Sequence, residues 1–209
     1  TPIKYYYDNY GELDFKVKIK YFTLEMSTEL KAAQCVANRI FAAHDYRIGV
    51  KTMLSTKQKL EERDLELMRE QEDFFDWFYQ HVEMHEGHIP PYGIYMNLWE
   101  HYASNGTIHE ETVEYDKTDE KTGKTSRETY KRFNGYTPND PNEYLIVIID
   151  HAALVAQQKG LTKWETMEAL SKYAMTIRNK FGATIISVNQ QAADQESKDN
   201  YRRPTLSGL

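Results

Sequence analysis

At 209 residues, with 40% hydrophobic and 28% charged residues, the chain has the size and composition of a folded domain, which excludes disorder throughout. A formal net charge of −6 argues against a sequence-wide affinity for nucleic acid, so any such contact must be local. One cysteine, Cys35, rules out an internal disulfide and reads as a small hydrophobe in an apolar helical stretch.

No apolar run reaches the roughly 18 residues of a membrane-spanning helix, and the first residues lack the charged, apolar and small segments of a secretory signal. The expectation is a soluble, intracellular protein with no membrane partner. Phe15, Val17, Ile19 and Tyr21 alternate with Lys16, Lys18 and Lys20, which predicts a strand with one solvated face, ending at Thr23-Leu24-Glu25. Ser27 then caps a helix with Leu30, Ala33, Ala37, Ile40 and Phe41 at helical spacing. A second strand is expected from Ile48 to Leu54, and a charged helix from Lys57 to Tyr79 that buries Leu60, Met68, Phe75 and Phe78. Pro90 and Pro91 interrupt the chain before a helix from Tyr92 to Ser104.

The β-prone segments Thr112 to Tyr115 and Thr129 to Phe133 flank a polar, glycine-containing tract, so residues 107–142 read as an inserted hairpin. Leu145 to Ile149 is a continuous apolar run, the pattern of a strand covered on both faces, and it ends at Asp150. Thr162 and Glu165 form a capping box, and Trp164, Met167, Leu170, Ala174, Ile177 and Phe181 share one face of the helix that Gly182 stops. Thr184 to Val188 predicts a further buried strand, followed by Asn189-Gln190-Gln191. This alternation of strand and helix predicts an α/β fold with a mostly parallel sheet, flanked by helices and carrying the inserted hairpin.

In such a sheet the polar residues that end strands gather along one edge, where ligands bind. Glu25, Asp150 and Gln190 are the candidates. An acid directly after a buried apolar strand suits Mg2+ or its water shell, a second carboxylate on a neighbouring strand suits polarising a water, and an amide suits sensing a phosphate.

Four blocks resemble one family. Tyr21 to Ser27 is similar to the F-S-L-E-M-S segment of DnaB-type replicative helicases, and Ile146 to Val155 to their Walker B strand. Ser187 to Gln191 resembles their S-Q-L segment, and Arg203 to Leu209 their R-P-x-L-S-D-L run. The resemblance implies a RecA-like P-loop NTPase fold forming a single domain over residues 1–209, with ATP and Mg2+ as cofactors. It further implies a ring hexamer moving on single-stranded DNA, with primase or loader partners, in the cytoplasm of a bacterial cell. Glu25 would be the catalytic carboxylate, Asp150 the Walker B acid that holds Mg2+ indirectly, and Gln190 the sensor, in a register open to Gln191. The Asp150-His151 and Asn189-Gln190-Gln191 variants and the long insert look more like phage-encoded relatives. Gln34 and Cys35 stand where bacterial relatives tend to carry a basic residue.

Before Glu25 there is no G-x-x-x-x-G-K-S/T, so a phosphate-binding loop is expected ahead of Thr1, and an arginine finger beyond Leu209. Residues 1–209 alone are then expected to hydrolyse ATP poorly. Lys198, Arg202 and Arg203, after the sensor strand, are the candidate DNA contacts, weighed against a solvated loop. Two rivals share the strand-end residues: a non-helicase RecA-like ATPase, and a degenerate module that only assembles with partners. Gly123-Lys124-Thr125 mimics the end of a phosphate loop, but Thr118 stands where the motif needs glycine, so a hairpin tip is expected. His81, His85 and His88 near Glu83 and Glu86 suggest zinc, but Gly87 and Pro90 favour a polar strand and loop. Tyr5 to Tyr7 is expected to pack the amino-terminal segment onto the sheet.

Overall fold

The computed structural model describes residues 2–55, 58–118, 123 and 125–189. Its centre is a four-stranded sheet of β1 (Lys16–Thr23), β2 (Val82–Glu86), β5 (Glu143–Asp150) and β6 (Thr184–Val188). The strands run parallel in the order β2-β1-β5-β6. Helices cover both faces, as the βαβ pattern requires.

The two faces explain the sequence of β5. Ile146 and Ile148 point into one core with Val17, Ile19 and Tyr21, beneath α1 (Pro2–Asn9), α2 (Thr28–His44), α4 (Glu62–Arg69) and α5 (Glu72–His81). Leu145, Val147 and Ile149 point into the other with Phe22, beneath α6 (Pro91–Ser104) and α7 (Lys163–Phe181). A strand with a core on each side has no polar face, so its apolar run is unbroken. Ile19 and Val147 are fully buried. Each such side chain contributes about 1.5–3 kcal/mol of burial.

Local signals set the helix ends. Thr162 and Glu165 exchange bonds at the start of α7, with Glu165 N donating to Thr162 Oγ1 at 3.2 Å and Thr162 N donating to Glu165 Oε2 at 2.7 Å. Gly182 stops the helix at φ 79°, a left-handed turn that glycine adopts without strain. Pro91 opens α6, where its missing N–H costs nothing.

The insert is a hairpin of β3 (Gly106–Thr118) and β4 (Thr125–Pro138), a separate two-stranded antiparallel sheet. Its base is tight, because a Cβ at Gly106 would run into the Tyr136 ring and the Thr137 carbonyl. Gly123 lies between the two strands, in keeping with a hairpin tip rather than a phosphate loop. No helix among the described residues is long and apolar enough to cross a membrane.

Several expectations are corrected. Residues Ile48 to Leu54 form no strand: Thr52 N and Met53 N bond to the Gly49 carbonyl and close the short α3 (Val50–Met53). The fourth strand is β2, which follows α5 without a break. The charged helix is two helices that part at Glu70 and Gln71. That break turns Leu67, Phe74 and Trp77 inward with Phe78, leaving Leu60, Met68 and Phe75 only half-buried. On α2 the inward stripe is Ala32, Ala33, Val36, Ala37 and Ile40, and Phe41 is exposed. Trp164 is 81% exposed in the first turn of α7, and β6 is only half covered. Of the tyrosine run, Tyr6 is buried on α1 and its hydroxyl accepts from Val17 N at 2.9 Å, while Tyr5 is exposed.

The lysine face of β1 is also not fully solvated. Lys20 is buried, donating to Glu83 at 2.8 Å on the adjacent strand and to Asn97 of α6 at 3.0 Å. Beside this network, burial first and then the Lys20 charge push His101 down to about 4. The folded state thus favours neutral His101. As pH falls below about 6.5 the unfolded chain takes up a proton that the folded chain refuses, so stability declines until about pH 4 and this group then adds no further loss. His101→Asn is expected to flatten the fall in melting temperature across that window; an identical fall in both proteins counts against this account.

Candidate functional site

The carboxyl edge of the sheet gathers the polar strand ends. Register pairs Thr23 with Asp150 and Asp150 with Val188, so Glu25, Asp150 and Asn189 follow neighbouring strands at one rim. The turn after β1 is held by its backbone. Leu24 N donates to the Asp150 carbonyl at 2.8 Å, and Thr23 Oγ1 donates to the Met26 carbonyl at 2.8 Å. Glu25 is left with its side chain 58% exposed, its carboxylate 3.4 Å from Nδ1 of the buried His151.

Asp150 is more enclosed. Its Oδ2 accepts from the Tyr21 hydroxyl at 2.5 Å and from Lys31 Nζ at 2.7 Å. Burial alone would raise the Asp150 pKa, but the bonds from Lys31 and Tyr21 and the Lys31 charge outweigh it and hold the carboxyl below its ordinary value. Burial, then the bond to Asp150, raises Tyr21, so the phenol remains a donor. At the start of α2, Ser27 Oγ accepts from Leu30 N at 3.3 Å and Glu86, the last residue of β2, accepts from Thr28 N at 2.8 Å. A carboxylate at a helix amino end is electrostatically favoured.

The structure thus brings Glu25 and Asp150 to one rim on adjacent strands. Gln190, Gln191, Lys198, Arg202 and Arg203 lie outside the described residues, as does the Arg203 to Leu209 block. The histidines give no metal centre: among the described residues no group of three or more His, Cys, Asp or Glu side chains could hold an ion. His85 instead stacks on Phe22, with ring centroids 4.8 Å apart.

Sequence reasoning missed Lys31, Tyr21, His151 and Glu86. Lys31 did carry a signal, since a lysine one turn into a helix stands at the end where the dipole disfavours it. Glu86 followed from β2, which no turn residue announces.

Asp150 and Glu25 supply hard oxygen donors. Among the described residues Asp150 Oδ1 accepts no hydrogen bond, which suits a Mg2+ ion that keeps most of its waters and takes one or two carboxylates.

Next to this rim, β6 pairs only with β5 among the described residues. A cleft of about 340 Å³ beside it is lined by Tyr21, Lys31, Cys35, Ile148, Ile186 and Val188, together with the amino end of α1. On the other side of the strand a second cleft is lined by Leu170, Ala174, Met175 and Ile185. Among the described residues, apolar side chains on both faces of β6 stand open at that edge.

No protein-family model and no curated protein matches this chain. Among solved structures it is similar to a DnaB-like replicative helicase whose interactions with primase are described. That likeness has a TM-score of 0.58 at 11% identity, over 92% of this chain and 36% of the other. It is also similar to an isolated ATPase domain of a second protein, with a TM-score of 0.55 at 12% identity, over 92% of this chain and 53% of that one. The chain therefore spans little more than half of the one and about a third of the other. At such identity the likeness shows the fold: RecA-like α/β, with a parallel sheet flanked by helices and an added antiparallel hairpin.

Proposed function

We propose that this chain is the central part, as one domain, of an ATP-driven motor that translocates on single-stranded DNA, a replicative helicase of the DnaB kind. The observation that carries the reading is the adjacency of Glu25 and Asp150 at the carboxyl rim of a RecA-like sheet. Mg2+ would supply charge neutralisation for the phosphates of ATP. Asp150 would hold the water shell of that ion, Glu25 would take the proton of the attacking water, and Gln190 would sense the terminal phosphate.

The edge of β6 that is open among the described residues supports the same reading. A strand laid beside β6, leading through a loop into a helix that continues as α1, would cover both clefts and bring backbone N–H groups to the rim. A phosphate-binding loop of the proposed motor would have that arrangement. By contrast the opposite edge, β2, is polar, with Glu83, His85 and Glu86 along it.

Lys198, Arg202 and Arg203 are the proposed contacts to the DNA backbone, and a hexameric ring with a primase or loader partner follows from the same reading. A phage-encoded source fits the variant blocks and the long hairpin.

The test is displacement of a labelled strand from a forked duplex by the full-length protein. ATP-dependent displacement is expected, together with weaker and less salt-sensitive binding when Arg202 and Arg203 are both alanine. DNA-stimulated ATP hydrolysis without displacement would overturn the helicase reading in favour of another RecA-like ATPase. Absence of nucleotide binding would leave the assembly module.

A further inference from the structure

We propose that Lys31 is a built-in counter-ion for Asp150 and that it sets how tightly the rim takes a divalent cation. The inference rests on the reading of Asp150 as the carboxylate that attends the metal, and it adds a residue which none of the motif blocks assigns a role.

Lys31 stands one turn into α2, near the positive end of the helix dipole, where a cation is disfavoured. It could relieve that repulsion by extending into water. Instead the side chain turns inward, 17% exposed, over the Tyr21 ring at 5.2 Å, and its ammonium lies 2.7 Å from Asp150 Oδ2. A residue that contradicts its local preference and is held in place by one partner is placed for that partner.

Tyr21 reaches the same oxygen from β1. Its paired neighbour on β5 is Ile148, two residues before Asp150, so both side chains lie on the face that α2 covers. Tyr21 and Lys31 together fix Oδ2 and leave Oδ1 without a hydrogen bond among the described residues. The carboxylate is thus oriented and partly neutralised at once. An incoming hydrated divalent cation meets the open oxygen through its water shell, with an ammonium close behind that oxygen. Like charges within a few ångströms in a half-buried site repel strongly, so the lysine opposes the cation. Loss of Lys31 strengthens divalent binding, whereas a merely structural lysine, once removed, leaves it unchanged or weakens it.

The experiment titrates the full chain with Mn2+ alone and follows the free ion by electron paramagnetic resonance, with circular dichroism as the check on folding. Lys31→Met is expected to bind Mn2+ about tenfold more tightly than the parent chain. Lys31→Arg, which keeps the charge, should stay within about threefold, and Asp150→Asn should lose the site. If Lys31→Met binds no more tightly than the parent while Asp150→Asn still weakens binding, the counter-ion proposal is overturned and the Asp150 reading stands. If Asp150→Asn changes nothing, the metal role of Asp150 fails with it. Should Lys31→Met unfold the chain, Lys31→Gln replaces it, with the same outcomes.

Discussion

Glu25→Gln, in the full-length protein, is expected to leave nucleotide binding within about twofold and, if Glu25 is the base as proposed, to lower turnover by about 10²–10⁴-fold, the usual worth of a positioned general base. The amide keeps the shape of the carboxylate but cannot accept the proton of a water. Little else should change. The side chain is mostly exposed and its ion pair among the described residues is with His151 at 3.4 Å, so stability should shift by no more than about 0.5 kcal/mol. The measurement is a phosphate-release assay beside a fluorescent-nucleotide titration. Persistence of hydrolysis near the parental rate would reject Glu25 as the base, and parallel loss of binding and turnover would point to a binding role instead.

The parts of the fold that local chemistry fixes were legible in the sequence. Leu145 to Ile149 could only be a strand between two cores, and Thr162, Glu165 and Gly182 bound α7 by hydrogen bonds that two or three residues make among themselves. What long-range packing decides was not legible. The residues of β2, Val82 to Glu86, are polar at every second position and follow a helix with no glycine or proline between them. They become a strand because β1 offers its edge there. Ile48 to Leu54 has the apolar content of a strand but finds no partner, and it closes on Gly49 instead.

The same division runs through the site. Glu25 and Asp150 were visible because each follows a strand as a polar residue that a core has no use for. Tyr21 was hidden, because it reads as a core aromatic, and the helix-end position of Lys31 does not say which group its charge meets. Only the packing of α2 over β1 and β5 joins them to Asp150.

Phe22→Ala should have the opposite signature to Glu25→Gln, a loss of stability of about 3–5 kcal/mol from the cavity it leaves. Phe22 is fully buried in the core beneath α6 and α7, among Ile94, Leu98, Ile149 and Ala152, with its ring stacked on His85. β1 is held between β2 and β5 by both ladders, which limits how far its backbone can close on the gap. The loss would be a large share of the roughly 5–15 kcal/mol that a domain of this kind has to spare. Urea unfolding should show a lower midpoint at an unchanged slope, and Phe22→Leu should retain most of the difference. A loss below about 1 kcal/mol would mean that this core collapses around the gap and that β1 is not clamped as described. Because Phe22 lies three residues before Glu25, and the intervening Leu24 N bonds to the Asp150 carbonyl, the variant tests the chemistry too. At temperatures where Phe22→Ala remains folded, turnover should fall with the geometry of that turn, whereas nucleotide affinity, which on the proposed reading rests on a loop beside β6, should be spared.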